Sequence, residues 1–314
     1  MLANLLSGIG KWLPRKSVPL GRHDIEWEKI GTCQERQECL ARAESEISAQ
    51  RSVERHLVTA NDRFGVAGTC YVCSRQVDFE VSFEHAYPVD GILTPNWRES
   101  LKCPSCGLNN RMRAVIHLLD QHLGGLSGEV YITEQTTDLY KTLAGRYSAT
   151  LIGSEFLGPD RLCGEIDARG LRHENVTRLS FGDARFTKVL SFDVLEHVPD
   201  YRKALQEFLR CLAPRGHLIM SVPFRSDCAD NLVRARMQET GEVLHLLPPE
   251  YHGDPVRDEG CLAFYHFGWR LLEEMRDLGF HQVEALYYWS REFGYLGREQ
   301  MLIVARKPGR AFGF

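Results

Sequence analysis

The sequence predicts an α/β fold, in which a mostly parallel sheet flanked by helices follows a small cysteine-rich module. After Gly128, short apolar runs alternate with amphipathic helical patterns, an alternation typical of parallel sheets with right-handed crossovers. Two C-x-x-C pairs precede that region. Further upstream, a long segment from about Asp24 to Asn61 is rich in Glu, Arg, Ala and Gln, a composition that favours helix.

Seven strands and three helices are expected after Gly128. We expect parallel strands at GEVYITE, ATLIGSEF, NVTRLSF, FTKVLSFDVL and GHLIMSVPF. We expect helices at TTDLYKTLAGRY, PDYRKALQEFLRCLAPRG and HFGWRLLEEMRDLGF, and the second has apolar residues along one face, closed by Pro214 and Gly216. HQVEALYYWS and MLIVARK are the last two strands. Their hairpin-like connection predicts that one final strand is antiparallel.

The region upstream of the cysteines divides into a leader and a helical arm. In the leader, apolar residues from Leu2 to Leu13 recur at helical spacing before Arg15 and Lys16. Two interpretations stay open, a short helix on a membrane surface and a terminus that packs on the protein or frays. We expect a leader and arm over 1–62, the cysteine module over 63–124 and the α/β domain over 125–314.

Composition restricts the classes of function. The chain has 314 residues and a formal net charge of −4, which argues against a general nucleic-acid binder because such proteins usually carry a basic excess. A local basic patch stays possible, so RNA is a disfavoured partner. No apolar run approaches the ~20 residues that span a bilayer, and no secretory signal is visible. The sequence therefore predicts a cytoplasmic protein.

The cysteine module predicts a zinc site. Cys70 and Cys73 form one C-x-x-C pair, and Cys103 and Cys106 form another. Zinc prefers a tetrahedron of thiolates, and a two-residue gap lets both sulfurs of a pair reach one ion. Because the protein would fill all four positions, we expect structural Zn²⁺ rather than catalytic zinc. The alternatives are disulfides or unligated thiols.

Two arginines follow the second cysteine pair. Arg111 and Arg113 open the next predicted helix, which runs to about Leu123. They could hold a phosphate or carboxylate of a substrate, or they could be solvated or salt-bridged.

The segment from Ser180 to Phe224 carries the strongest signal of family. It contains the motif DVLEHV at Asp193–Val198, then a predicted helix, and then a Pro214-Arg215-Gly216 turn into the next strand. In these features it resembles the type 11-like class I S-adenosylmethionine (SAM) methyltransferases. The resemblance implies a Rossmann-like sheet, a SAM cofactor and a ligand site beyond the carboxyl ends of the strands. The layout with a front zinc module is also similar to bacterial methyltransferase-like proteins.

The resemblance implies a set of cofactor-binding residues. Glu155, at the end of the second strand, would bind the ribose hydroxyls, although it could also be a solvent-facing loop acid. Asn175 would lie near the adenine amino group. Glu134 would be the acidic residue of the first loop, where Thr136 and Thr137 could cap the next helix, and Asp193 would face the methyl group.

The first loop departs from the family pattern. No glycine lies between Gly128 and Gly145, whereas a Gly-rich turn normally lets the backbone approach SAM closely. The alternatives to simple methyl transfer are therefore another SAM-using reaction, or a binding or scaffold protein without SAM.

Methyl transfer from a sulfonium mainly requires alignment of the reacting atoms. A general base helps when the acceptor is a hydroxyl. Asp193 and His197 are candidates after the fourth strand, although His197 could instead be architectural together with Glu196.

A polar, aromatic stretch between the fifth strand and the last helix is expected to cover the acceptor. In it, His252 with Asp254, and His266 beside Tyr265, are candidate bases. The alternative is a loop turn with a packing Trp269.

We expect the acceptor to be a small molecule or a sugar-containing, glycan-type molecule. A modifier of RNA or protein that uses the zinc module to read its substrate is a further alternative.

Overall fold

The computed structural model describes residues 25–89, 91–147, 151–253, 256 and 260–309. The helices are α1 (Cys33–Arg42), α2 (Glu44–Leu57), α3 (Asn110–His122), α4 (Asp138–Tyr147), α5 (Tyr201–Cys211) and α6 (Arg270–Asp277), and Leu195–His197 form a 3-10 turn. The strands are β1 (Trp27–Ile30), β2 (Arg63–Cys70), β3 (Arg75–Ser82), β4 (Tyr87–Val89), β5 (Ile92–Thr94), β6 (Val130–Ile132), β7 (Leu151–Gly153), β8 (Phe186–Phe192), β9 (Leu212–Ser221), β10 (Leu232–Val233), β11 (Ala235–Met237), β12 (Val243–His245), β13 (Tyr251–His252), β14 (Cys261–Leu262), β15 (Tyr265–His266), β16 (His281–Tyr288) and β17 (Met301–Arg306).

The central sheet has seven strands in the order β1-β16-β17-β9-β8-β6-β7. β9, β8, β6 and β7 are parallel neighbours. β17 lies antiparallel between β9 and β16. The predicted mostly parallel sheet with an antiparallel final strand is therefore confirmed.

The sheet is buried on both faces, and successive strand residues alternate between two cores. Val189 and Leu218 belong to the core under α5 and α6, whereas their neighbours Leu190 and Ile219 belong to the core under α3 and α4. This alternation follows from the two-residue period of strands. It explains why β8 reads as an apolar run, as expected for a parallel strand covered on both sides.

The predicted third strand, NVTRLSF, is wrong. Within the described chain, this segment contains only an isolated bridge between Asn175 and Arg178. The Asn175 side-chain oxygen accepts hydrogen bonds from the backbone N–H of Thr177 at 3.0 Å and from its hydroxyl at 2.8 Å. Such local bonds compete with a strand ladder. Beyond β7, the sheet continues only as a parallel bridge from Glu155 to His173.

The segment from about Asp24 to Asn61, predicted as helix, is helical over α1 and α2 but begins with the strand β1. β1 pairs antiparallel with β16 at the edge of the sheet, and Trp27 lies 5.1 Å from Tyr288 between ring centroids. The helix then begins after Thr32, whose hydroxyl accepts a hydrogen bond from the Glu35 N–H, and it breaks at Ala43 into α1 and α2. Tertiary pairing with β16 outweighs the helical composition here.

The leader at 1–24, with its predicted amphipathic helix, lies outside the described residues. Of the helices that the structure describes, none is long and apolar enough to cross a membrane.

The cysteine module packs directly on the α/β region through α3. Arg113 is fully buried, donates hydrogen bonds to the carbonyl oxygens of Leu101, Phe293 and Gly294, and lies 3.9 Å from the centre of the Phe79 ring. It therefore joins the module to the chain near β17 and does not hold a substrate.

Candidate functional site

A cleft opens beyond the carboxyl ends of β6, β7 and β8, with a volume of about 1440 Å³. Small-molecule sites are typically ~300–1,000 Å³, so this cleft has room for two ligands side by side. Its walls come from the cysteine module, the loop after β6, the strand ends and the segment between β9 and α6. Open α/β sheets bind ligands at this position.

The loop after β6 is held by Glu155 from the neighbouring strand. One Glu155 carboxylate oxygen accepts hydrogen bonds from the Gln135 N–H at 2.7 Å, the Thr136 N–H at 2.9 Å and the Thr136 hydroxyl at 2.8 Å. The Thr137 hydroxyl, rather than that of Thr136, accepts a bond from the Tyr140 N–H at the start of α4. Residues 133–137, all of which are described, have no positive φ. The loop therefore adopts its shape without glycine.

A close approach between β7 and the loop after β6 occurs at Gly153. A Cβ there would lie 2.8 Å from the Glu134 carbonyl oxygen and 2.5 Å from the Tyr140 ring. Real Cβ atoms do not come so close. The sequence analysis missed Gly153. The feature that could have indicated it is a glycine at the end of a predicted strand.

Glu134 lies buried at the cleft wall. One carboxylate oxygen has no hydrogen-bond partner among the described residues. Burial raises the pKa of Glu134 to about 7, although the Thr137 hydroxyl and the Arg111 charge act in the opposite direction. The group is therefore poised to change its charge near neutral pH.

Asp193 follows β8 in a left-handed conformation, with φ of 52°. Its carboxylate accepts hydrogen bonds from the Ser221 hydroxyl at 3.0 Å and from Arg98 at 2.6 Å, and it lies 3.1 Å from Arg111. Burial acts to raise the pKa of Asp193, but Arg111 and Arg98 outweigh it and hold the pKa well below its usual range. Asp193 is thus a carboxylate that forms salt bridges with two arginines of the cysteine module. Of the alternatives for Arg111, the structure shows the salt-bridged one.

Asn175 and Phe156 line the cleft on the β7 side. The Asn175 side-chain oxygen is already bonded to Thr177, which leaves its NH₂ group as the donor on that side chain. Phe156 directly follows Glu155, and 44% of its surface is exposed. The sequence analysis missed this aromatic ring.

The structure brings three of the predicted histidines into one group. His197 and His252 lie 4.9 Å apart between ring centroids and nearly perpendicular to each other. His252 and His266 both hydrogen-bond to Glu250, at 3.0 and 2.9 Å. Sequence analysis paired His252 with Asp254, which lies outside the described residues, and it missed Glu250.

Glu196 lies beneath these histidines and is fully buried. Neither carboxylate oxygen has a hydrogen-bond partner in the described part of the chain. Burial, together with the Asp193 charge, raises the pKa of Glu196 well above its usual range. A buried carboxyl group without a hydrogen-bond partner is costly.

The four module cysteines converge on one point. The sulfur atoms of Cys70 and Cys106 lie 3.9 Å apart, as do those of Cys73 and Cys103, and all four lie within 4.8 Å of one another. A zinc ion bound at ~2.3 Å in a tetrahedron holds its sulfurs ~3.8 Å apart. The cluster therefore has the dimensions of a tetrathiolate site.

Comparisons with known proteins find a family match over part of this chain. Residues 138–220 match a family described as a methyltransferase domain. A search of curated proteins finds no match.

Similar solved structures include a SAM-dependent methyltransferase of Mesorhizobium loti, at 15% identity over 63% of this chain and 96% of that one, with a TM-score of 0.37. DesVI of Streptomyces venezuelae is 14% identical over 63% and 90% of the two chains, with a TM-score of 0.40. The 1,6-didemethyltoxoflavin-N1-methyltransferase of Burkholderia thailandensis, solved with S-adenosylhomocysteine, is 18% identical over 63% and 78%, with a TM-score of 0.34.

The matched segment begins at α4, after β6 and its loop, and runs through β7, β8 and α5 into β9. The predicted enzyme class, a SAM-dependent methyltransferase, is confirmed by this match over residues 138–220.

Proposed function

We propose that the protein transfers a methyl group from SAM, bound on the β6–β7 side of the cleft, to a small-molecule or glycan-type acceptor on the histidine side. The main support is the cleft of about 1440 Å³ beyond the carboxyl ends of β6, β7 and β8, of which β7 and β8 lie within the methyltransferase match. Because methyl transfer depends mostly on alignment, one cavity that accommodates both partners meets its chief requirement.

The proposed cofactor position follows from the side chains on that wall. The Glu155 carboxylate lies beside the place for the ribose, and the exposed Phe156 ring next to it offers a face on which adenine can stack. The partnerless oxygen of Glu134 offers a counter-charge to the ammonium group of SAM. The Asn175 NH₂ group, as a donor, suits a ring nitrogen of adenine better than its amino group.

The acceptor side is proposed from the segment between β9 and α6. His197 and His252 line the cleft there, and Tyr251 and Phe264 line it beside them. Asp193 stays a candidate site residue. Its engagement with Arg98 and Arg111 favours a role in shaping the methyl-transfer point over proton transfer.

We also propose that Cys70, Cys73, Cys103 and Cys106 bind structural Zn²⁺. The support is their tetrahedral spacing. Bound zinc would hold the module that supplies Arg98 and Arg111 to Asp193, so the ion would stabilise one wall of the cleft without reaching the substrates.

Isothermal titration of zinc-loaded protein with SAM and with S-adenosylhomocysteine tests the function. We expect micromolar binding of at least one of them. Phe156→Ala should weaken binding about tenfold, because an aromatic stacking contact contributes ~0.5–1.5 kcal/mol beyond area burial.

Leu162→Ala is the matched control, since Leu162 is 70% exposed and does not line the cleft; its affinity should equal that of the wild type. Equal losses in both variants would contradict the proposed adenine position. Absence of any binding to folded protein would overturn SAM-dependent transfer and favour a scaffold.

A further inference from the structure

The group formed by Glu196, His197 and His252 has a geometry that the methyl-transfer proposal does not use. Glu196 comes from the 3-10 turn after β8, and His252 comes from β13, in the segment that covers the cleft. One atom from each of the three side chains lies within 4.8 Å of the other two. All three residues line the cleft.

The distances fit a shared ion better than direct hydrogen bonds. His197 Nε2 lies 3.7 Å from Glu196 Oε1, and His252 Nδ1 lies 3.8 Å from the same oxygen. Hydrogen bonds between nitrogen and oxygen are ~2.7–3.2 Å long. An ion held at ~2.1 Å by nitrogen and oxygen ligands keeps those ligands ~3.0–3.4 Å apart, so small side-chain rotations would close the site.

The outer nitrogen of each imidazole already has an acceptor. His197 Nδ1 lies 2.9 Å from the Leu262 carbonyl oxygen, which can only accept, so Nδ1 carries a proton and donates. His252 Nε2 lies 3.0 Å from Glu250 Oε1 and donates in the same way. In each neutral ring, the nitrogen with the lone pair then faces Glu196. Metal-bound histidines characteristically donate their other N–H to a carbonyl or carboxylate.

Glu250 is itself held in place. Arg234 lies 3.1 Å from its second oxygen, and His266 hydrogen-bonds to the first. This arrangement fixes the orientation of the His252 ring. Glu196, by contrast, is fully buried with both oxygens lacking a hydrogen-bond partner among the described residues. A bound cation would satisfy that carboxylate.

We propose that Glu196, His197 and His252 bind a divalent transition-metal ion, and that this ion binds a hydroxyl oxygen of the methyl acceptor. Two imidazoles and one carboxylate suit ions such as Zn²⁺ or Fe²⁺. Three protein ligands leave coordination positions open toward the cleft, as in catalytic sites. The four-cysteine cluster has no such opening.

The acceptor half rests on the proposed methyltransferase function. A Lewis acid favours the ionised form of a bound hydroxyl, so its proton is released to solvent. An oxygen lone pair then forms the O–C bond, and the S–C bond of SAM breaks with its electron pair left on sulfur. The products are a methyl ether and neutral S-adenosylhomocysteine.

Equilibrium dialysis against Zn²⁺, followed by elemental analysis, tests the metal site. The wild type should hold one zinc ion per chain beyond the ion held by the cysteines. His252→Ala and Glu196→Gln should each lose that second ion and keep the first. His245→Ala, which removes an exposed histidine of the same segment, should keep both. Equal zinc content in His252→Ala and His245→Ala would overturn the site.

The acceptor half is tested with acetohydroxamate, a small bidentate oxygen ligand. It should bind to the zinc-loaded wild type. Its affinity for His252→Ala should be at least about tenfold lower, a difference in binding free energy of ~1.4 kcal/mol. A second zinc that does not bind acetohydroxamate would overturn the acceptor half. Titration with SAM separates the two proposals. If the protein binds a second zinc ion but does not bind SAM, the metal site is supported and the methyltransferase proposal fails.

Discussion

At the scale of single residues, the ionisation of Glu134 is expected to make SAM binding depend on pH. Its pKa of about 7 arises chiefly from burial, so it is mostly protonated below that pH and mostly ionised above it. The SAM ammonium keeps its charge up to a pKa of ~7.7–8.0. We therefore expect SAM affinity to rise between about pH 6 and 7.5, as Glu134 ionises, in isothermal titrations at several pH values.

The control separates Glu134 from other acids. Glu134→Gln should flatten the pH profile, whereas Glu129→Gln, which removes an exposed carboxylate paired with Arg185, should leave the profile unchanged. If SAM affinity rose with pH by the same amount in Glu134→Gln as in the wild type, the pH dependence would belong to another group.

Sequence reasoning named the types of residue at the site but not their partners. Asp193 was selected from its place after the fourth strand, yet its nearest charged partner, Arg98 at 2.6 Å, lies 95 positions earlier in the chain. Glu155 was selected for ribose, yet one of its oxygens holds the loop after β6. Both partnerships depend on how distant segments meet, which local pattern does not encode.

At the scale of elements, the loop after β6 and its neighbour β7 form one unit. Gly153→Ala would place a Cβ against the Glu134 carbonyl and the Tyr140 ring. We expect a destabilisation of ~1–3 kcal/mol, as for overpacked sites, and weaker SAM binding because the loop shifts. Thermal unfolding and isothermal titration measure the two effects.

Gly182→Ala is the matched control for the loop. A Cβ at Gly182 would have no neighbour within 4 Å, and its φ is not positive, so neither stability nor affinity should fall. If Gly153→Ala behaved like Gly182→Ala, the close approach would not shape the cofactor site.

Burial on both faces made two central strands, β8 and β9, recognisable in the sequence. β8 and β9 read as apolar runs because two cores cover them. β1 was missed because its segment has a helical composition and only its pairing with β16 makes it a strand. The predicted third strand failed because Asn175 bonds locally to Thr177. The sequence pattern thus did not reveal the pairing of β1 with a distant strand or the local bonds of Asn175.

At the scale of the whole molecule, the cysteine module and the methyltransferase domain share a core. Leu296 packs with module residues such as Trp97, and the Asn110 amide donates to the carbonyl oxygens of both. Arg98 and Arg111 reach from the module to Asp193 at the cleft. Module and cleft are therefore expected to unfold together.

Zinc removal tests this coupling. Chelation, or Cys106→Ser, should lower the temperature of a single unfolding transition in calorimetry and weaken SAM binding, since structural zinc contributes directly to folding free energy. Cys228→Ser, outside the cluster, should leave both unchanged. Two unfolding transitions, of which only the first depends on zinc, would show instead that the module folds as a separate unit. SAM affinity would then be independent of the metal. The salt bridges from Arg98 and Arg111 to Asp193 would in that case not support the cleft.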